Sequence, residues 1–315
     1  KIMLKFKQYI LEAATARQGL PHIEYEQNSN APSMISQPSK ALENLHKLIG
    51  SGHIEGVATE KTDGASGILG HDNNGFYIQM GKGNKIYHPD DPGKFAEQRR
   101  QSAESKGKQL EPLLFNGKPI HEHQRDLFNL FNSNEGLKHY LKYQAKNSPG
   151  GESQIRGEFF YRPMGTHVND GKHVRFVGTH YSTSTMGNKG SFVVHTQLNP
   201  QHNVDQIKSF STPDMKFDSD EIPNSRFKID VKDLANKLKT IDPNIKSRSH
   251  PQWGDVVAIA KQAKARVAKH FSQFKPKFGT EETEGLVLHT PGIRVKYVPD
   301  EYAGRKKELF KQGSR

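Results

Sequence analysis

Lys61-Thr62-Asp63-Gly64 lies within the run Gly56-Val57-Ala58-Thr59-Glu60-Lys61-Thr62-Asp63-Gly64-Ala65-Ser66. A lysine stands next to an acid, in an apolar stretch of strand character, just before a glycine turn. A lysine amine attacks phosphorus only when unprotonated, and at neutral pH a free lysine is almost wholly charged. Burial or neighbouring positive charge lowers its pKa and makes it a nucleophile. Alone, the tetrapeptide is equally an ordinary strand end before a turn. A second segment, Gln154-Ile155-Arg156-Gly157-Glu158-Phe159-Phe160-Tyr161, sets Glu158 among apolar residues. An acid beside core positions needs a cation, a metal or a hydroxyl as partner, unless it lies on the wet face of the strand. In Thr283-Glu284-Gly285-Leu286-Val287-Leu288-His289, an acid and a glycine again lead into an apolar run. Period-two alternation in Gly292-Ile293-Arg294-Val295-Lys296-Tyr297 puts Arg294 and Lys296 on one face and Ile293, Val295 and Tyr297 on the other. Two cations pointing one way repel unless an anion sits between them, and phosphate is the economical choice. A basic edge strand is the alternative.

Other clusters are less specific. His121-Glu122-His123 spaces its histidines at i and i+2, which do not share a helix face. The 16 histidines show no His-Glu-x-x-His spacing. Gly81-Lys82-Gly83-Asn84-Lys85 lacks the length and the Lys-Ser/Thr ending of a P-loop. A basic helix over 254–274, with Lys261, Lys264, Arg266 and Lys269, either tracks phosphates or forms a solvated face.

The elements that must position these residues follow from periodicity and turn signals. Residues 4–16 read as an amphipathic helix, and residues 38–50 as a second, with Leu42, Leu45, Leu48 and Ile49 at helical spacing and Gly50 as its stop. Residues 53–69 and 74–80 read as strands joined by a hairpin-type turn at His71-Asp72-Asn73-Asn74-Gly75. Residues 88–118 read as a polar surface excursion and 121–145 as helical. Strands are expected at 154–161, 173–181, 191–196 and 284–298, with mixed structure over 200–250. The order lacks regular βαβ alternation, which predicts an α+β fold of antiparallel sheets flanked by helices.

Bulk properties narrow the classes. The chain has 315 residues, 46 Lys+Arg against 34 Asp+Glu and a net charge of +12. Mean hydropathy is −0.82 and the pI about 9.5. The excess charge points to a polyanionic partner, most simply nucleic acid. No cysteine is present, so disulfides, thiolate metal sites and thiol nucleophiles are excluded. No apolar run approaches the ~20 residues that span a bilayer, and no secretory signal is evident. A cytoplasmic monomer with no membrane association is expected.

The ordered set Lys-x-Asp-Gly, Gly-Glu-Phe-Phe, Glu-Gly-Leu-Val-Leu and Arg-x-Lys resembles the covalent nucleotidyltransferase superfamily of DNA ligases, RNA ligases and mRNA capping enzymes. The match spans roughly residues 53–300. Arg175-Phe176-Val177-Gly178-Thr179 is similar to the family segment whose aromatic stacks on the base, and Met80-Gly81-Lys82-Gly83 falls at a basic element after the first hairpin. Phe6-Lys7-Gln8-Tyr9, followed by Gly19 to Glu24, also resembles ligase-like proteins of tailed phages. The resemblance implies an ATP-grasp-like adenylation domain over 51–300, an N-terminal helical region over 1–50, a polar and helical excursion at 88–145, and a basic tail over 301–315 (Arg305, Lys306, Lys307, Lys311, Arg315). It implies that Lys61 attacks the α-phosphate of ATP, with Asp63 positioning it or contacting ribose. Arg294 and Lys296 would then neutralise the phosphate. Glu60 would lie beside adenine, Phe176 would stack on it, and Lys82 would help bind the nucleotide. Glu158 would bind ribose or a metal-bound water, and Glu284 with Glu158 would hold Mg²⁺ or Mn²⁺. AMP would pass to a 5′-phosphate end of RNA or DNA, and a 3′-hydroxyl would displace it; the host cytoplasm would be the compartment if the source is viral.

The sequence departs from the family pattern. Many DNA ligases carry arginine at the position of Ser66, and the basic element after the first hairpin offers only Lys82. Fewer than 20 residues follow Lys296, so no C-terminal OB-fold domain is expected, which favours an RNA-ligase-like enzyme over a duplex DNA ligase. Two alternatives stay open: a nucleotidyltransferase that moves AMP or GMP to another acceptor, and a catalytically inactive nucleic-acid-binding or virion protein.

Overall fold

The computed structural model describes residues 22–23, 35–62, 64–81, 83–109, 114–115, 118–161, 166–169, 174–177, 190–278 and 283–299, with the backbone alone at 114–115, 161, 166–169, 174–177 and 283–284. The helix expected at 4–16, Asp63, Lys82 and the basic tail lie outside these residues. The fold is α+β. The chain divides into two compact units: Lys1–Lys61, Glu221–Lys277 and Glu284–Lys306 form the first, and Thr62–Asp220, Phe278–Thr283 and Lys307–Arg315 the second. The stretch 51–300 is thus shared between both.

The first unit carries a four-stranded sheet of order β12-β1-β13-β14, made of β1 (His53–Thr62), β12 (Glu221–Asp230), β13 (Thr283–His289) and β14 (Arg294–Tyr297). Helices α1 (Pro38–Ile49), α6 (Lys232–Lys239) and α7 (Trp253–His270) share one core with it. Pro38 starts α1, where a missing N–H costs nothing, and Gly50 caps its end. Leu45, Leu48 and Ile49 of α1 meet Leu234 and Leu238 of α6 and Val256, Ile259, Ala263 and Val267 of α7 in that core. The expected helices at 38–50 and 254–274 are therefore present, each because an apolar stripe at helical spacing finds the sheet.

The second unit is built on a six-stranded sheet of order β11-β10-β7-β2-β3-β4. Its strands are β2 (Ala65–Asp72), β3 (Gly75–Met80), β4 (Lys85–Ile86), β7 (Ser153–Tyr161), β10 (Gly190–Val194) and β11 (Met215–Ser219). Two short hairpins accompany it: β5 (Leu114–Phe115) with β6 (Lys118–Pro119), and β8 (Thr166–Asn169) with β9 (Val174–Val177). Leu127, Phe128 and Phe131 from α3 (Ile120–Asn132) and Leu137 and Leu141 from α4 (Glu135–Lys146) fill its core against Leu69, Ile78, Ile155, Phe159, Phe192 and Phe217. Phe131 meets three rings, those of Phe159 at 5.3 Å, Phe217 at 5.9 Å and Phe192 at 6.2 Å between centroids, each edge-on. Phe131→Ala is expected to cost about 3–5 kcal/mol, combining lost transfer energy with a cavity the β-sheet cannot close. Urea denaturation followed by circular dichroism checks it.

Four sequence expectations need correction. The stretch expected as one strand over 53–69 is two: β1 ends at Thr62 in the four-stranded sheet and β2 starts at Ala65 in the six-stranded one. The excursion at 88–118 contains a helix, α2 (Asp91–Glu104), which buries only Pro92 and ties Arg100 to Glu97 and Glu104 along its exposed face. Its lack of an apolar stripe hid it. The helical stretch 121–145 is two helices. Asn134 starts the second by accepting from Leu137 N at 2.9 Å, while its amide donates to Phe210 O at 2.7 Å. The sheets are not wholly antiparallel, since β10 and β11 pair in parallel. That pairing needs a crossover, supplied here through a 3₁₀ turn (Thr196–Leu198) and α5 (Val204–Ser209).

Candidate functional site

In the first unit, alternation along the strands decides which side chains leave the core. Leu286, Leu288 and Val295 are buried in it. His289 pairs with Arg294 and Val287 with Lys296 in the antiparallel register. Directly paired residues share a face, so His289, Arg294 and Lys296 lie opposite the core. Ile293 and Tyr297 pack against the core, as the alternation predicted.

The neighbouring strand β1 joins this face through a side-chain bond. Thr59 Oγ1 lies 3.1 Å from His289 Nε2, which puts Thr59 on the same side. Lys61, two residues on, follows it. Alternation along β1 sets this parity: Ile54 and Ala58 point into the core and Thr59 away from it. Glu60 then points back, where it is 1% exposed and its Oε2 accepts from Lys277 N at 2.9 Å. Gly56 allows the close approach, since a Cβ there would stand 2.0 Å from His289 O. The half-buried Lys61, Arg294 and Lys296 thus occupy one face of one sheet, with β13 between their strands. At ~4.8 Å per strand, the backbones of β1 and β14 run about 10 Å apart. That spacing suits lysine and arginine side chains converging on a phosphate-sized anion. Glu284 stands on β13 and Phe176 on the β8–β9 hairpin, by their backbones.

In the second unit, Glu158 is the centre. It is 5% exposed, and its Oε2 accepts from Thr62 Oγ1 at 2.6 Å and from Gly64 N at 2.8 Å. The carboxylate therefore holds the turn that follows Lys61 in the chain, across a sequence separation of more than 90 residues. Ser66 pairs directly with Glu158 in the β2–β7 register and is exposed. His195 Nε2 lies 3.7 Å from Glu158 Oε1, and its Nδ1 donates to Asp220 Oδ2 at 3.2 Å. Asp220 is 2% exposed and also accepts from Thr196 N at 2.9 Å and Thr196 Oγ1 at 2.8 Å. Burial works against its ionisation, but the hydrogen bond and charge of His195, then the Thr196 donors, outweigh it and hold its carboxyl below the usual range.

His195, Asp220 and His289 escaped the sequence reading. The available signal was a histidine closing the apolar run Phe192-Val193-Val194-His195 in phase with Val193, which itself pairs with Glu158. Nothing local marks Asp220, which follows Asp218-Ser219 like any acidic turn.

Comparison with protein-family models, with characterised proteins and with solved structures found nothing that matches this chain. Among the described residues no group of three or more His, Asp or Glu side chains gathers as a metal cage, and no helix is long and apolar enough to cross a membrane.

A separate, partly buried network stiffens the second unit. Lys85 Nζ donates to Asp72 Oδ2 at 2.7 Å and to Glu152 Oε1 at 2.6 Å, and lies 4.2 Å over the Tyr77 ring. Burial opposes ionisation of Asp72 and Glu152, but bonds from Lys85 and tyrosine hydroxyls leave both carboxyls below their usual range. His202 is buried, with Nδ1 2.9 Å from Tyr140 OH and Nε2 donating to Gln154 O at 2.8 Å; burial lowers its pKa despite the latter bond. All these folded pKa values are depressed, so their contributions are full above the unfolded values and are lost as pH falls through the folded ones. Stability is expected to be flat above an ordinary histidine pKa of about 6.5 and to sag below it as His202 is forced to charge. It should fall again below an ordinary carboxyl pKa of about 4, as Asp220, Asp72 and Glu152 take up protons. Denaturation midpoints between pH 8 and pH 3 check this; midpoints that rise with acidification would contradict it.

Proposed function

We propose that this protein is an ATP-dependent polynucleotide ligase of RNA-ligase-like kind, acting through a lysyl–AMP intermediate on an ATP-grasp-like adenylation fold. The observation that carries the reading is the shared face of Lys61, Arg294 and Lys296, which the register and the Thr59–His289 contact determine. A nucleophilic amine and two fixed cations on one face suit attack on a phosphate. Lys61 Nζ forms a bond to the α-phosphorus of ATP while the bond from that phosphorus to the bridging oxygen breaks and pyrophosphate leaves. Arg294 and Lys296 oppose the charge that builds on the phosphoryl oxygens, and as neighbouring cations they favour the neutral amine of Lys61. The AMP group would then pass to a 5′-phosphate end, and a 3′-hydroxyl would displace it to join the strands.

Glu158 supports the reading from the second unit by fixing the turn at Thr62 and Gly64. Mg²⁺ or Mn²⁺, when bound, would neutralise substrate phosphates, and needs only one or two protein carboxylates beside them. Glu158 and Glu284 are the candidates for such an ion by resemblance alone. The parts assigned to Asp63, Glu60, Lys82 and Phe176 rest on the resemblance alone.

Nucleic acid as partner is supported by the net charge of +12. On α4, Lys142 and Lys146 are exposed and form no ion pair among the described residues, and Tyr143 between them is 66% exposed. Cations around an exposed ring suit a phosphodiester strand with unpaired bases. The reading is tested by incubating the protein with α-labelled ATP and Mg²⁺ and resolving it on a denaturing gel, then offering nicked DNA, nicked RNA and 5′-phosphorylated single-stranded RNA. Label on the protein followed by joined product is expected. A protein that takes no label overturns the reading.

A further inference from the structure

The second unit contains a chain of polar contacts that the proposed reaction does not explain. It starts at Asp220, a buried carboxylate between β11 and β12, whose own backbone N–H donates to Val194 O at 3.1 Å at the end of β10. It continues through His195 to Glu158, and from Glu158 to Thr62 and Gly64. The backbone of His195 is clamped as firmly as its ring. Its N–H donates to Arg156 O at 3.0 Å, and Asn199 donates to both Arg156 O and His195 O at 2.7 Å while accepting from Arg156 N at 2.8 Å. The imidazole thus lies between Asp220, hydrogen-bonded at 3.2 Å, and Glu158, 3.7 Å away.

Such an arrangement is costly as structure alone. Taking a carboxylate out of water is repaid only when its partners are well placed, and an apolar residue of similar size often stabilises as much. Asp220 and Glu158 are both buried. What the chain does achieve is alignment. With Oε1 of Glu158 facing His195, Oε2 is the oxygen presented to Thr62 and Gly64. Gly64 can approach this oxygen only because it lacks a side chain: a Cβ there would stand 2.9 Å from Glu158 Cβ and 2.8 Å from the Phe160 ring.

We infer that His195, aimed by Asp220, is a positioning residue for Glu158, and that through Glu158 it sets the geometry of the turn that follows Lys61. Its effect on catalysis rests on the ligase reading above; its effect on the turn does not. Outer partners of this kind typically change activity 10- to 100-fold when removed.

Two measurements on the full chain separate the two ideas. The first is amide hydrogen exchange at Gly64, read against Leu69 in β2 as an internal control. Asp220→Asn keeps the shape of the side chain and acceptors for Thr196, and His195→Ala removes the link. Both are expected to speed exchange at Gly64 at least tenfold and leave Leu69 unchanged. His195→Gln, which returns an N–H near the position of Nε2, is expected to recover part of the protection. The second is the single-turnover rate of lysyl–AMP formation against ATP concentration. Here Asp220→Asn and His195→Ala are expected to lower the maximal rate 10- to 100-fold, with the half-saturating ATP concentration changed less than threefold. A wild-type protein that takes no label sinks the ligase reading, and the exchange data still decide the positioning role. Exchange at Gly64 that is unprotected in the wild type, or unchanged in folded His195→Ala and His195→Gln, overturns the positioning role whatever the label shows.

Discussion

Lys61→Ala is expected to abolish transfer of label from α-labelled ATP to the protein. Removal of a group at the centre of covalent catalysis costs on the order of 10⁴–10⁶ in rate, far below detection on a gel. Lys61→Arg should fail equally, since a guanidinium stays protonated in proteins and offers no lone pair. The wild-type linkage is expected to be acid-labile and stable to mild alkali, as a phosphorus–nitrogen bond is and a carboxyl phosphate is not. Replacing Arg294 or Lys296 by alanine removes stabilisation of the phosphoryl charge without removing the nucleophile, so label should still form, about 10²–10³ slower. All three are partly exposed, and circular dichroism of each variant should show a folded protein. Label that survives Lys61→Ala would place the chemistry elsewhere.

Gly157→Ala is expected to give a large loss of stability for the addition of a single methyl group. Gly157 lies in β7, inside the six-stranded sheet, with β2 and β10 on either side. A Cβ there would stand 2.2 Å from Val193 O and under 3 Å from the Phe192 ring. The ring has core neighbours on its far side, Phe159 at 4.8 Å among them, and the carbonyl is part of the strand ladder. Neither yields easily, so the cost should reach or exceed the 1–3 kcal/mol typical of overpacking. Against a total stability of about 5–15 kcal/mol, that is a large fraction. The strain would fall on the Val193–Glu158 pair next in register, and adenylation should weaken with it. Gly150→Ala is the control: a Cβ there meets nothing within 4 Å, and its midpoint should stay within about 0.5 kcal/mol of wild type. Equal midpoints for both variants would show that the β7–β10 spacing is looser than described.

The sequence by itself determined a good deal. The α+β class, α1, α7 and the β2–β3 hairpin follow from local signals: apolar residues at helical spacing, period-two alternation, and a glycine after two asparagines. The same alternation placed Arg294 and Lys296 together and turned Val295 inward, because strand geometry alone fixes which residues share a face. What it left undecided depends on register and distance along the chain. Whether Lys61 shares the face of Arg294 is settled by the place of β1 beside β13 and by the Thr59–His289 contact, which joins residues 230 apart in the chain. The parallel pairing of β10 with β11 depends on a crossover whose short helix has no strong pattern. Only the tertiary structure brings Glu158 to the turn at Thr62 and Gly64, and His195 and Asp220 to Glu158. Those contacts join strands and loops far apart in sequence, and no spacing rule reaches across them.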